Sequence, residues 1–342
     1  MQRPYENRPA PTIRRMSTQM QFGWVLPPGH TPAKDYLIAN KHNEWMGGMK
    51  WMAPGPQGRE GRDRWDAGIR RALNTITGQW DSAWMTDHFF WPDGDCLEAL
   101  TTLAFYAALT PALNWGTMVL GQGYRNAALT AKMASTIQYL TGGRLILGMG
   151  AGWKKDEYEA YGYTFPAPGQ RIAELDEAVQ IIKSLWTEPS TTFSGKNYSV
   201  TNAINQPQTP KPPVLMIGGG GEQKMLPQIA RHADWWNSGA QGDVWQRKVD
   251  ILKRECDKNG RDFGTLKLTW FGGVAVGRTQ EELQRRLRDD FVRNSGIWGT
   301  PDEVARKFES LAKMGCTYIM CDTRGLPEPG ELELLIEVSK KV

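Results

Sequence analysis

Short apolar runs alternate with longer amphipathic stretches over most of the chain. Residues 21–26, 82–86, 113–120, 144–149, 214–217, 233–237, 266–276 and 317–321 are largely apolar and read as eight strands. Helical patterns lie between most of them, with identifiable ends. Thr279-Gln280-Glu281-Glu282 and Thr300-Pro301-Asp302-Glu303 have the form of capping boxes, the second with Pro at the first helical position. Strand and helix alternating in this way predict an α/β fold of the (β/α)8, or TIM-barrel, class. In this reading residues 20–342 form a single barrel domain behind a flexible arm at 1–19.

Two interruptions break the rhythm, and both are expected at the carboxyl-terminal face. Residues 27–65 separate the first strand from its helix, expected at about 66–77, and contain Gly47, Gly48, Pro54, Gly55, Pro56 and Gly58 before a charged run at 59–64. A loop of this length inside a compact domain is usually functional or disordered. Because it leaves the carboxyl end of the first strand, it reads as a lid or substrate-pocket insertion. The second interruption, 189–213, holds two alternating pieces within 191–200 about a Gly turn, which predicts a hairpin inserted before the fifth strand.

Composition narrows the class. Apolar residues make up 40% and charged residues 23% of the 342, enough to bury a large core, and the net charge of +4 is scattered rather than striped, which argues against a nucleic-acid partner. Cys96, Cys256, Cys316 and Cys321 form no CxxC pair, and no Cys/His spacing fits a metal site, so reduced thiols and no metal are expected. The first residues carry Arg3, Arg8, Arg14 and Arg15 among prolines without an apolar signal region, and no apolar run is long enough to span a membrane. A cytoplasmic protein with no membrane partner is the expectation. The 15 tryptophans are unusual, and Trp24, Trp45, Trp51, Trp65, Trp80, Trp84 and Trp91 crowd the first hundred residues, as core filler or as an aromatic wall over a planar ligand.

Three segments could hold chemistry. Ser82-Ala83-Trp84-Met85-Thr86-Asp87-His88 puts an acid and an imidazole directly after a strand, where a barrel has its mouth, and an imidazole can hold one proton as a substrate gains or loses a hydride. His30 and His42 fall in the insertion, and His232 reads as structural. Gly148-Met149-Gly150-Ala151-Gly152-Trp153 lacks the spacing of a dinucleotide fingerprint, but Gly150, Ala151 and Gly152 let backbone approach a ring or phosphate closely. Gly218-Gly219-Gly220-Gly221, between an apolar strand and a helix expected near Glu222, can form a nest of N–H groups suited to a phosphate; a flexible tight turn is the competing reading.

Taken together, these pieces resemble the bacterial luciferase-like family of flavin- and deazaflavin-dependent oxidoreductases. The resemblance covers residues 22–26 and nearly all of 66–322, and is most specific at 84–88, 141–162 and 218–237. It implies a (β/α)8 barrel that holds FMN or coenzyme F420 at its carboxyl face, with the phosphate in glycine-rich loops. The pattern is closer to the deazaflavin-dependent branch. That branch implies that His88 acts on the substrate proton, that Asp87 helps hold the cofactor, and that Trp91 flanks the pocket. It also implies a non-prolyl cis peptide at Met118-Val119 behind the ring, and homodimers formed through barrel helices. Two departures stand out: Ala127 replaces a proline common at the start of the third helix, and the Trp-rich insertion is untypical, which leaves the substrate open.

The expectation is therefore a coenzyme F420-dependent oxidoreductase that transfers a hydride between deazaflavin C5 and a small, apolar or aromatic organic substrate. An FMN-dependent monooxygenase using reduced flavin and oxygen is the alternative, and a flavin-binding protein without turnover is a third.

Overall fold

The computed structural model describes residues 20–28, 31–32, 54–55, 58–91 and 95–342. The arm at 1–19, most of the expected lid, His30, His42, Trp45 and Trp51 lie outside the described residues. Eight parallel strands, β1 (Gln21–Leu26), β2 (Ser82–Met85), β3 (Asn114–Thr117), β4 (Leu145–Gly150), β5 (Val214–Gly218), β6 (Trp235–Ser238), β7 (Lys267–Val276) and β8 (Tyr318–Asp322), pair in chain order, and β8 returns to β1 to close a barrel. All eight were expected within a few residues of these bounds.

Period-two alternation divides the strand side chains between two cores. On β1, Phe22, Trp24 and Leu26 pack outward against the helices, whereas Val25 points into the lumen. On β2, Ala83 and Met85 face outward and Trp84 inward; on β8, Ile319 and Cys321 face outward, and Tyr318 and Met320 inward. The lumen is thus filled by Trp84, Ile146, Met216, Tyr318 and Met320, which leaves ligand chemistry to the loops at the strand ends. Trp24, Trp65, Trp80 and Trp84 are buried within the hydrophobic clusters, whereas Trp91 is buried outside them.

The outer ring comprises α1 (Gly58–Ile76), α2 (Ala99–Leu109), α3 (Ala127–Leu140), α4 (Lys155–Ala160), α5 (Pro168–Thr187), α6 (Met225–His232) and α7 (Gly242–Lys258). It is completed by α8 (Gln280–Arg286), α9 (Asp290–Ser295), α10 (Pro301–Lys313) and α11 (Glu331–Ser339). α1 starts eight residues before the expected position. At the end of the charged run, Asp63 and Arg64 are exposed, while Trp65, Ile69, Ala72, Leu73 and Ile76 follow helical spacing into the core. The strand expected over 113–120 is broken, because pairing with β4 stops at Gly116 and resumes at Leu120–Gly121 after a cis Met118–Val119 peptide. α6 begins at Met225 rather than near Glu222.

The hairpin before β5 is present, with Thr191–Ser194 antiparallel to Ser199–Ala203. At the base of the first insertion, Thr31–Pro32 pairs in parallel with Pro54–Gly55. A short strand at Ile297–Gly299, not foreseen from sequence, extends the end of β7. Among the described residues no helix is long and apolar enough to cross a membrane, and no group of His, Cys, Asp and Glu could hold a metal ion.

Candidate active site

The loops after β2, β3 and β4 meet at one buried carboxylate, Glu157 on α4, whose side chain has no exposed surface. Its Oε1 accepts the backbone N–H of Phe89 at 2.8 Å and of Phe90 at 3.3 Å. Its Oε2 accepts the Tyr124 hydroxyl at 2.8 Å and lies 3.1 Å from Nδ1 of His88. The Lys154 ammonium is 3.8 Å from Oε1. Burial opposes ionisation of Glu157, but the bond and charge of His88, then Lys154 and Tyr124, outweigh it and hold the carboxyl below its ordinary range. Burial and the adjacent carboxylate push the Tyr124 phenol well up, so that it stays a donor.

His88 is fixed on three sides. Besides Glu157, its ring lies 4.6 Å from the Trp91 indole and 5.6 Å, edge-on, from Trp153. Only 12% of its side chain is exposed. Lys154 sits 4.3 Å over Phe90 and 5.0 Å over Trp91, which anchors the β2 loop to the β4 loop through cation–π contact. Around this centre, Phe89 stacks on Tyr161, and Trp153, Tyr161 and Tyr163 are exposed large side chains.

Asp87 lies between the β2 and β3 loops. Its buried carboxylate accepts both Nη atoms of Arg125, at 2.7 and 2.8 Å, and the N–H of Gly121 at 2.9 Å. No part of the Asp87 side chain is exposed. Asp87 thereby braces the β2 loop to the β3 loop, and Glu98 also accepts from Arg125.

A second group forms where β3, β4 and β5 end. Val119, just after the cis bond, fills the space that side chains at Gly150 and Gly218 would need: a Cβ would come within 2.8 Å of Val119 at Gly150 and 3.1 Å at Gly218. Gly148 and Gly150 belong to β4 itself, and the turn proper begins at Ala151, with Gly152 at φ +74°. After β5, Gly219 has φ +148°, and the Lys248 ammonium donates to the Gly220 carbonyl.

A profile of the luciferase-like monooxygenase family matches residues 20–292. This chain belongs to that family. Among its luciferase-like relatives is an F420-dependent glucose-6-phosphate dehydrogenase of Kineococcus radiotolerans, 41% identical over 198 residues, which are 55% of this chain and 58% of that protein. A phthiodiolone/phenolphthiodiolone dimycocerosates ketoreductase of Mycobacterium tuberculosis is 29% identical over 225 residues, 64% of this chain and 57% of the relative. The matched part thus spans little more than half the length of these curated relatives. In three dimensions, an F420-dependent secondary alcohol dehydrogenase in complex with an F420–acetone adduct superposes with a TM-score of 0.74 at 15% identity, over 95% of this chain and 99% of the other. A long-chain alkane monooxygenase superposes with a TM-score of 0.72 at 16% identity, over 95% and 91%; at such identities the likeness concerns the fold.

The luciferase-like barrel has the features a flavin or deazaflavin needs. The Val119 side chain closes directly over the backbone of Gly150 and Gly218 where β3, β4 and β5 end. At the Gly218–Gly221 loop, Lys248 and Arg247 face the Glu222 carboxylate at 3.6 and 2.9 Å.

The sequence reading singled out His88, Trp91, Met118, Val119 and both glycine loops. It missed Glu157, Lys154 and Arg125. Lys154-Lys155-Asp156-Glu157 has the pattern of a solvated helix start, and nothing local marks two of its four side chains as buried.

Proposed function

We propose that this chain is a coenzyme F420-dependent oxidoreductase that interconverts a carbinol and a carbonyl in an apolar or aromatic substrate, with His88 handling the proton. The observation that supports it most is His88 itself: one imidazole at the carboxyl end of the barrel, held by a buried carboxylate and two indoles, with an edge still exposed. The relatives named for F420 and for ketone or alcohol chemistry support the same reading. A bound deazaflavin would supply the hydride acceptor or donor at C5.

The chain would do the rest. Val119, Gly150 and Gly218 would seat the ring, and Gly219, Gly220, Gly221 and Lys248 the phosphate. Ala151 and Gly152 would let the β4 turn run close to the ring, with Met118 behind it. Trp91 and Trp153 would screen His88 from water on two faces. In the oxidising direction the substrate hydroxyl gives its proton to His88 as the carbon loses a hydride; in the reducing direction His88 returns it. Phe89, Phe90, Trp153, Tyr161 and Tyr163 form an aromatic approach that suits an apolar substrate better than a sugar phosphate.

Equilibrium titration of the purified protein with F420 and, separately, with FMN, followed by tryptophan quenching, tests the cofactor. Tight F420 binding with weak FMN binding is expected. The reverse preference overturns the proposal and favours oxygen-dependent flavin chemistry.

A further inference from the structure

The bonding around Glu157 has a direction. Backbone N–H groups can only donate, so the Oε1 side, which meets Phe89 and Phe90, is committed as an acceptor. On the Oε2 side, an ionised carboxylate has no hydrogen to offer, and Nδ1 of His88 at 3.1 Å must supply one. We infer that Glu157 is a positioning residue that locks the neutral His88 ring in its Nδ1–H tautomer, so that the lone pair on Nε2 is the group offered to the substrate. The inference deepens the proposed function and rests on it only for the identity of the substrate proton; the tautomer is a property of the chain alone.

The consequence for the chemistry is definite. In the oxidising direction the substrate O–H bond breaks and its proton goes to Nε2. The electron pair of that bond becomes the second bond of the new carbonyl, and the C–H pair would leave as a hydride to a bound deazaflavin. The ring becomes an imidazolium while its Nδ1–H stays on Glu157, so the new charge arises beside a carboxylate already in place. The opposite tautomer would present a donor where an acceptor is needed.

Glu157→Gln inverts this logic with almost no change of shape. The two backbone donors claim the amide oxygen, so the NH2 group faces His88, and Nδ1 must then become the lone-pair nitrogen. The Tyr124 hydroxyl can rotate to accept. The experiment is 15N NMR of histidine-labelled purified protein at a pH where the ring is neutral. The chain has four histidines, and His88→Ala identifies the signal of interest. Wild type is expected to show a protonated Nδ1 and an unprotonated Nε2, and Glu157→Gln the reverse or a mixture, with turnover reduced about 10²- to 10⁴-fold.

A wild-type spectrum with Nε2 protonated overturns the inference without recourse to any variant. So does an unchanged tautomer in Glu157→Gln. An inverted tautomer with full turnover overturns the role of Nε2 in the chemistry. A protein that binds FMN and not F420 fails the proposed function, yet leaves the tautomer result readable on its own.

Discussion

Lys267 opens β7 at the closed, amino-terminal end of the barrel, opposite the candidate site. Its ammonium donates to Gln21 and lies 4.4 Å over Trp235 and 4.6 Å over Tyr318. Burial pushes its pKa down to about 8 from 10.5, against the opposing pull of Asp81. A lysine with a depressed folded pKa binds its proton less readily in the folded than in the unfolded chain. Between pH 8 and 10.5 the unfolded state therefore holds more protons, and the lysine's contribution to stability rises with pH. Urea unfolding of wild type and Lys267→Met should show the difference between them moving toward wild type by on the order of 2 kcal/mol across that window. Parallel stability profiles would show that the ring faces compensate fully for lost hydration. At the other end of the barrel, His88→Ala should lower kcat about 10²- to 10⁴-fold. Cofactor affinity should change little, because the seats proposed for the ring and phosphate lie on other strands; unchanged turnover would remove His88 from the chemistry.

Elements repeat this division between signals that are local and signals that are not. The capping box at α10 was legible because its partners are three residues apart. Thr300 and Glu303 satisfy each other's backbone N–H, and Pro301 sets the first turn. Thr300→Ala should cost about 1 kcal/mol in a thermal or urea melt, with the fold kept. At α8, Thr279 caps Glu282 as expected, but the Glu282 carboxylate reaches back to Arg278, so only half the box forms. Strands were legible because two-sided burial makes them continuous apolar runs. The start of α1 was not, since its first turns carry polar side chains. Glu157 and Arg125 were not, because a charge buried by loops from distant strands looks like any surface charge along the sequence. Gly148 lies within β4, as the strand expected at 144–149 has it. There the Thr117 hydroxyl bonds both its N–H and its C=O, and a Cβ would lie 1.9 Å from the Thr117 carbonyl oxygen. Gly148→Ala should therefore push β3 from β4, destabilising the chain by more than about 3 kcal/mol, and should be seen as loss of soluble protein or a collapsed melting transition. A normal melt would show that the two strands can separate freely.

For the whole molecule, the outer surface of the barrel is not uniformly polar. α2 contains no charged residue. A helix apolar on all sides normally lies inside a protein, yet one face of α2 is open to solvent, with Ala104, Phe105, Ala108 and Leu109 exposed in consecutive turns. On α3, Leu129, Tyr139 and Leu140 are also exposed. The opposite face of α2 is fully used: Leu100, Leu103, Tyr106 and Ala107 are buried in the barrel core, so the helix cannot turn its apolar side inward. A second copy of the chain, bringing the same uncharged face, would cover it, as the resemblance to dimeric barrels implied. Isologous contact suits such a surface, since an apolar stripe complements itself. Sedimentation velocity should accordingly give a species of twice the 38.5 kDa chain mass. Phe105→Glu with Leu109→Glu should return it to a single chain, because two like-charged carboxylates per copy would then face each other in a desolvated contact. The substitutions lie on the outer face of α2, away from the loops around His88, so F420 affinity should be retained in the monomer. A wild-type protein that sediments as a single chain at micromolar concentration would mean that this face has another occupant or remains open.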